Sequence, residues 1–403
     1  LRLADDRDRP FVEAFDGCEV CWRQVVGGGK VYLTRTSTRQ ETKSIRNYKI
    51  RGRENLDIAG HLVRIRIDAW RQRVSAGVRL VRAALRWALD SHLGGLMKIL
   101  LASPRGFCAG VNMAIEALER AVARFGAPLY AFHEIVHNRR VVERFRELGV
   151  VFIDDVDEAP IGSRLVISAH GVAPAVRSRS EARQLQVIDA TCPLVRKVHL
   201  AATKFASQGY TIVYIGHRGH DEVVAALGHA PEQMVLVESI ADVDRLSLAD
   251  PEKIAYLTQT TLSVDETAAI IARLRARYPA CVASPKEDIC FATQNRQESL
   301  KALVGEADVV LVAGSRNSSN SNRLAELARS QGCPAYLVDG SQDLDDAWFQ
   351  NDQTVLITAG ASAPESVVDE LVAYLGRRSG AEAEERSVRI EEVGTFPLPL
   401  EVR

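Results

Sequence analysis

The stretch MKILLASPRGFCAGVNMAIEALERAVARF, residues 97–125, decides how the rest of the chain is read. KILLAS (98–103) is a short apolar run closed by Pro104 and Gly106, the mark of a buried strand. Beyond it, VNMAIEALERAVARF places apolar residues at helical spacing up to Phe125. The same strand–turn–helix texture returns at PLYAF (128–132), RLVISAHG (164–171), LQVIDATC (185–192), YTIVYIGH (210–217), KIAYLTQT (253–260), ADVVLVAGS (307–315) and TVLITAG (354–360). Helical stretches such as NRLAELARSQG (322–332) lie between them. Strand and helix in alternation mean α/β architecture, with parallel sheets covered by helices on both faces. In such sheets chemistry gathers at the carboxyl ends of the strands.

Composition narrows the class. A chain of 403 residues with 46% hydrophobic and 26% charged residues has apolar material for several domains, and is neither collagenous nor an acidic disordered tail. No uncharged apolar run reaches the 18 or so residues of a membrane span, and a net charge of −1 gives no global argument for nucleic acid. Seven cysteines spread over this length suit reduced thiols or metal ligands in the cytoplasm better than a disulfide framework. The front of the chain differs from the rest. Residues 1–96 carry 19 Lys/Arg against 11 Asp/Glu, a net of +8, which leaves −9 for residues 97–403. This block shows little regular pattern before a basic, partly amphipathic helical stretch at 61–90, and it holds a loose Gly27–Gly29 and an isolated Cys18-x-x-Cys21. This basic extension is expected to be translated upstream sequence ahead of a true start at Met97; a targeting segment and a small basic interaction domain are the alternatives.

Cys108, Cys192 and Cys290 each follow a strand-like run and lead towards a helix, 84 and 98 residues apart. One buried cysteine is most simply a small hydrophobe, but three in matching places point to three similar units aiming thiols at a common centre. Three thiolates without a fourth suit an iron–sulfur cluster with one iron left open; zinc stays open on spacing alone. Cys281 and Cys333 lie at strand starts and are assigned to the core. Other strand ends carry hydrogen-bond donors: His170, then His217 and His220 with Glu222, the cluster Ser318, Ser319 and Asn320, and Ser362 beside Pro364. Hydroxyls and free N–H groups at helix starts make anion sites, above all for phosphate, whereas a lone Ser would be an ordinary cap. No GxxxxGK[ST] accompanies them. Glu222, close to Thr260, is the acid–base candidate, with a solvated helix-start carboxylate as the plain alternative. His133-Glu134-Ile135-Val136-His137 matches the zinc-peptidase pattern, but Asn138 is placed to cap a helix that starts only after it, so the two histidines need not share a face.

PRGFCAGV, HEIVHNRRVV, SAHGV, DATCPLV, IGHRGHDE, TQTTLSVDET, DICFATQNRQ, GSRNSSNSNRL and TAGASAPE, in this order, closely resemble the 4-hydroxy-3-methylbut-2-enyl diphosphate reductase (LytB) family of isoprenoid synthesis. The resemblance spans about residues 97–376. It implies three α/β domains around a central [4Fe-4S] cluster, one per chain, held by Cys108, Cys192 and Cys290. On the linear sequence these domains are 97–191, 192–289 and 290–378, with a tail at 379–403. It implies His137, His170 and His220 in the pocket for the substrate's diphosphate and hydroxyl, and Ser318, Ser319, Asn320 and Ser362 on the diphosphate. By the same resemblance Thr260 would belong to the proton path and Glu222 would be the proton donor, while His133, Glu134 and His217 would become supporting residues. The implied reaction is reductive dehydroxylation of the allylic diphosphate, with ferredoxin or flavodoxin as electron donor and no nucleic acid or membrane as partner. An iron–sulfur electron carrier or sensor would need neither the Ser–Ser–Asn loop nor Glu222. A zinc peptidase would not need the three cysteines.

Overall fold

The computed structural model describes the backbone of residues 20–27 and 30–37, and residues 97–388 and 394–403 with their side chains. The chain divides into two units, residues 1–83 and 84–403. In the first, strands Val20–Gly27 and Lys30–Ser37 pair antiparallel, with Gly27 opposite Lys30. The sequence reading missed this hairpin: Val-, Trp-, Tyr- and Thr-containing runs on either side of Gly27–Gly29 are a hairpin signal. The helix expected at 61–90 lies outside the described residues.

The second unit holds three sheets, and every strand pair in them is parallel. The first sheet runs in the order Val150–Ile153, Leu129–Phe132, Arg164–Ile167, Gln186–Asp189. The second runs Val282–Ala283, Ile254–Thr258, Thr211–Ile215, Met234–Val237. The third runs Ala335–Val338, Val309–Ala313, Thr354–Ala359, Lys98–Ser103, Ala383–Ser387. Their central strands are buried on both faces, as Val309–Ala313 and Thr354–Ala359 show residue by residue. Among the described residues no helix is long and apolar enough to cross a membrane.

The sheets depart from the linear division 97–191, 192–289, 290–378 at both ends, because Lys98–Ser103 and the tail strand Ala383–Ser387 both join the third sheet. Lys98–Ser103, the first strand of the unit, pairs in the third sheet, with Ile99 opposite Val355 and Ala383. The helix that follows it, Ala109–Phe125, packs elsewhere: Ala114, Leu118 and Ala121, one stripe at helical spacing, bury against Leu129 and Val166 of the first sheet. The pattern repeats. After the first sheet's last strand, helix Pro193–Ser207 packs Val198 and Ala202 on Ile212 and Tyr214 of the second sheet. After the second sheet, helix Phe291–Leu303 packs Leu300 and Leu303 against Leu100 and Val310 of the third. Cys108, Cys192 and Cys290 are the residues at these three crossings. Each thiol sits where the chain leaves one sheet for the next domain's helix. The tail closes the circuit, because Val402 is buried in the first core beside Ala121.

Candidate active site between three helix starts

Each of the three cysteines is the residue immediately before its helix, and none uses its side chain as a cap. Their backbone N–H groups are fixed to carbonyls at neighbouring strand ends: Cys108 to Ala361 at 3.2 Å, Cys192 to Ala169 at 3.0 Å and Cys290 to Thr260 at 3.0 Å. The thiols are therefore held by backbone and line one cleft of about 650 Å3, its open mouth included. Three helix N-termini converge there and favour negative charge. Burial, reinforced by the neighbouring cysteine Cys108, pushes the Cys192 thiol up to about 12 and that of Cys290 to about 11. Left alone, those two thiols keep their protons at neutral pH, and a thiophilic metal is what would displace them. Space for such a group is built in. A Cβ on Gly110 would lie 2.5 Å from Cys192 Sγ, so only glycine leaves that sulfur room, while at 3.9 Å it would merely touch Cys108 Sγ. The donor set of three thiols and the clearance at Gly110 fit an iron–sulfur group. Cys333 is buried in the third core and Cys281 packs on the second, away from the cleft, as expected.

The same cleft gathers hydroxyl and amide groups of the kind that could cradle an anion. Ser318 caps helix Ser319–Ser330, accepting from Ser321 N at 3.4 Å, and Ser362 Oγ donates to the His137 carbonyl at 2.9 Å while lying 3.2 Å from Ser318 Oγ. Asn320 is fixed at both ends: Oδ1 accepts from Ala361 N at 2.9 Å, and Nδ2 donates to Thr293 Oγ1 at 3.2 Å. Ser319 is held from the side by Gln259 Nε2 at 3.3 Å. Above them His137 stacks on His170 with ring centres 4.0 Å apart, and His220 meets both edge-on. Burial first, then the neighbouring imidazoles, holds His170 well below its ordinary range and His220 down to about 4. An incoming anion would draw protons onto such rings.

His137, His170 and Asp221 each offer an atom within 4.8 Å of the others, a cluster able in principle to hold a metal. The rings of His137 and His170 are only 18° from parallel, so their in-plane lone pairs run side by side rather than converging on one ion. The zinc-peptidase pattern fails because its two histidines do not share a helix. His133 sits in a loop at φ 56°, paired with Asp221 at 2.8 Å, and the helix begins only at Arg139 behind the Asn138 cap. Glu134 supports instead, at 3.3 Å from His137 Nδ1 and 2.7 Å from Asn317 Nδ2. His217 takes part through its backbone, whose N–H donates to Gln259 Oε1 at 3.0 Å.

Glu222 lies between cradle and thiols, in the first turn of the short helix Asp221–Leu227 and 2% exposed. Its carboxylate accepts from Thr260 N at 2.7 Å and from Thr260 Oγ1 at 3.0 Å. Burial outweighs these two bonds and raises its proton affinity to about 7, which poises it to give or take a proton at neutral pH. All the expected site residues, Cys108, Cys192, Cys290, His137, His170, His220, Glu222, Thr260, Ser318, Ser319, Asn320 and Ser362, line this one cleft. Four residues were passed over in the sequence. Thr293 bridges Cys290 Sγ, at 3.2 Å, to Asn320; Asp221 anchors His133; Gln259 is wholly buried behind Ser319; and Gly110 makes room for sulfur. Thr293 and Gly110 lie within three residues of a cysteine, the one local signal that would have singled them out.

The family model described as LytB protein matches residues 99–376. The chain is 57% identical over 307 residues to a 4-hydroxy-3-methylbut-2-enyl diphosphate reductase of Rhodopirellula baltica, covering 76% of this chain and 96% of that protein. It is 52% identical over 306 residues to the enzyme of the same name from Aromatoleum aromaticum, covering 76% of this chain and 98% of that one. The solved E-1-hydroxy-2-methyl-but-2-enyl-4-diphosphate reductase of Plasmodium falciparum superposes with a TM-score of 0.73 at 35% identity, covering 76% of this chain and 96% of that one. With the family model spanning most of the second unit and these relatives matched almost end to end, the chain belongs to the LytB family.

Proposed function

We propose that the chain reduces (E)-4-hydroxy-3-methylbut-2-enyl diphosphate to isopentenyl diphosphate and dimethylallyl diphosphate. The balance is one C–O bond broken, two electrons and two protons taken up, and one water released. The observation that carries this reading is that Glu222, poised near neutrality, stands in one cleft with three buried thiols and an anion cradle. Cys108, Cys192 and Cys290 would hold one [4Fe-4S] cluster per chain, which when bound supplies single electrons and a Lewis-acidic iron. The protein does the rest. Ser318, Ser319, Asn320 and Ser362, with His137, His170 and His220, bind the diphosphate and so orient the far end of a small substrate. Binding at this remote end positions the carbon bearing the hydroxyl. Glu222 holds a proton that Thr260 Oγ1, 3.0 Å away, relays towards the departing oxygen. Burial of Glu222 and Thr260 keeps bulk water from competing.

The electron source suited to this chemistry is a one-electron protein of the ferredoxin or flavodoxin class. Free thiols at Cys108, Cys192 and Cys290 suit a reducing compartment such as the cytoplasm. An electron carrier or sensor would leave the Ser318–Asn320 cradle and Glu222 without a task. The test is an anaerobic assay with reduced methyl viologen and the hydroxylated allylic diphosphate. Both isomeric diphosphates should form in the native protein, and both on the order of a hundredfold or more slowly in Glu222→Gln. Equal turnover by Glu222→Gln removes Glu222 from the mechanism, and no turnover by the iron-loaded native chain overturns the proposal.

A further inference from the structure

The helices that begin at Cys192 and Cys290 each carry a basic residue that reaches the segment bearing another of the three thiols. Lys197 lies five residues beyond Cys192, and its Nζ crosses to the loop that delivers Cys290. There it donates to the carbonyls of Lys286, at 3.2 Å, and Glu287, and it pairs with Asp288 Oδ1 at 3.1 Å. Asp288 is two residues before Cys290; its side chain is 4% exposed, and its Oδ2 accepts from Thr258 N at 3.3 Å. Arg296 lies six residues beyond Cys290 and is wholly buried. Its Nε and Nη2 converge on the carbonyl of Gly106 at 3.1 and 2.6 Å, two residues before Cys108. Residues 284–289 have no helix or strand of their own, and Pro285–Glu287 are exposed, so nothing regular fixes the approach to Cys290. Gln294 also grips this loop, at Ile289 O, but from the Cys290 helix itself, so it sets nothing between two thiols.

We propose that Lys197 with Asp288, and Arg296 with the Gly106 carbonyl, are positioning groups that fix the three cysteines relative to one another before any metal binds. The inference rests on those cysteines being the cluster ligands. A buried charge is costly to desolvate unless its bonds are made, so buried Asp288 holds the partly exposed Lys197 to it and buried Arg296 holds the Gly106 carbonyl, each in a narrow geometry. The two links act in series: Cys192 helix to Cys290 loop, then Cys290 helix to Cys108 loop. The third side needs no link, because Cys192 Sγ already packs in the space before Gly110 beside Cys108 Sγ. The loss of either link would widen the tripod and weaken iron retention. Cations on the segments that bear the thiols also favour the reduced, more negative cluster, so their removal should lower its midpoint potential.

The test is made on full-length protein loaded with its cluster under anaerobic conditions. Lys197→Met is expected to release iron to a chelator on the order of tenfold faster than the native protein, at a lower midpoint potential. Lys197→Arg, which restores the cation, should return both values to near native. Native iron release and an unchanged potential in a folded Lys197→Met would overturn the proposal. Should Lys197→Met fail to fold, Asp288→Asn, which keeps the bond to Thr258 but removes the anion, takes its place: faster iron release with a potential that is not lowered upholds the proposal, and native iron release overturns it. Iron that stays fully bound after Cys192→Ser would overturn the ligand assignment, and the positioning role with it.

Discussion

Glu222→Gln, measured on cluster-free protein, tests the electrostatics of the site without any turnover. The folded chain holds the Glu222 proton with an affinity of about 7, against 4.5 for an ordinary glutamate. Below about pH 4.5 both folded and unfolded chains are protonated there, and the group does not favour either. As pH rises through the interval the unfolded chain releases its proton first, so the native protein loses stability until about pH 7, where the loss levels off. A gap of about 2.5 pH units at 1.36 kcal/mol each gives about 3 kcal/mol. Glutamine keeps the packing: its carbonyl accepts from Thr260 N, and its amide faces a hydroxyl that can accept as well as donate. It does not titrate. In urea unfolding, Glu222→Gln should therefore gain on the native chain as pH rises from about 5 to about 8, by up to about 3 kcal/mol. Turnover, by contrast, should fall on the order of a hundredfold or more. A stability difference that does not change across that interval would refute a buried, proton-holding Glu222.

Other substitutions separate the parts of the cleft. Cys192→Ser should fold, judged by circular dichroism, yet fail to retain iron, and turnover should vanish with it. Gly110→Ala places a methyl 2.5 Å from Cys192 Sγ, so iron content after reconstitution should fall while the melting temperature changes little; full iron loading would show that the sulfur can move aside. Ser362→Ala removes a hydroxyl that bonds the His137 carbonyl and meets Ser318, and should raise KM on the order of tenfold with a smaller change in kcat. A change confined to kcat would place Ser362 at the reacting carbon instead of the diphosphate.

The elements that form the sheets were legible because their periodicity is local. KILLAS, YTIVYIGH and TVLITAG read as strands without any knowledge of their partners. Which sheet a strand joins is not a local property. Lys98–Ser103 precedes a helix that packs on the first sheet, yet it pairs with Thr354–Ala359 some 250 residues further on, and no period in the chain reveals that. The three cysteines stood out from their spacing, although each marks a crossing between domains instead of the edge of its own sheet. The role of Glu222 was half visible. A carboxylate in the first turn of a helix is ordinarily solvated, and only its burial against Thr260 raises its proton affinity to about 7. Asp221 and Gln259 were not visible at all, since their work is to hold His133 and Ser319, residues brought near by folding.

The most direct test of a cluster-bearing reductase is anaerobic reconstitution with iron and sulfide, followed by a visible spectrum and a metal count. A brown protein with about four irons per chain, losing both colour and iron in Cys192→Ser, is the expected result. A chain that stays colourless after reconstitution and takes up zinc through the same thiols would contradict it.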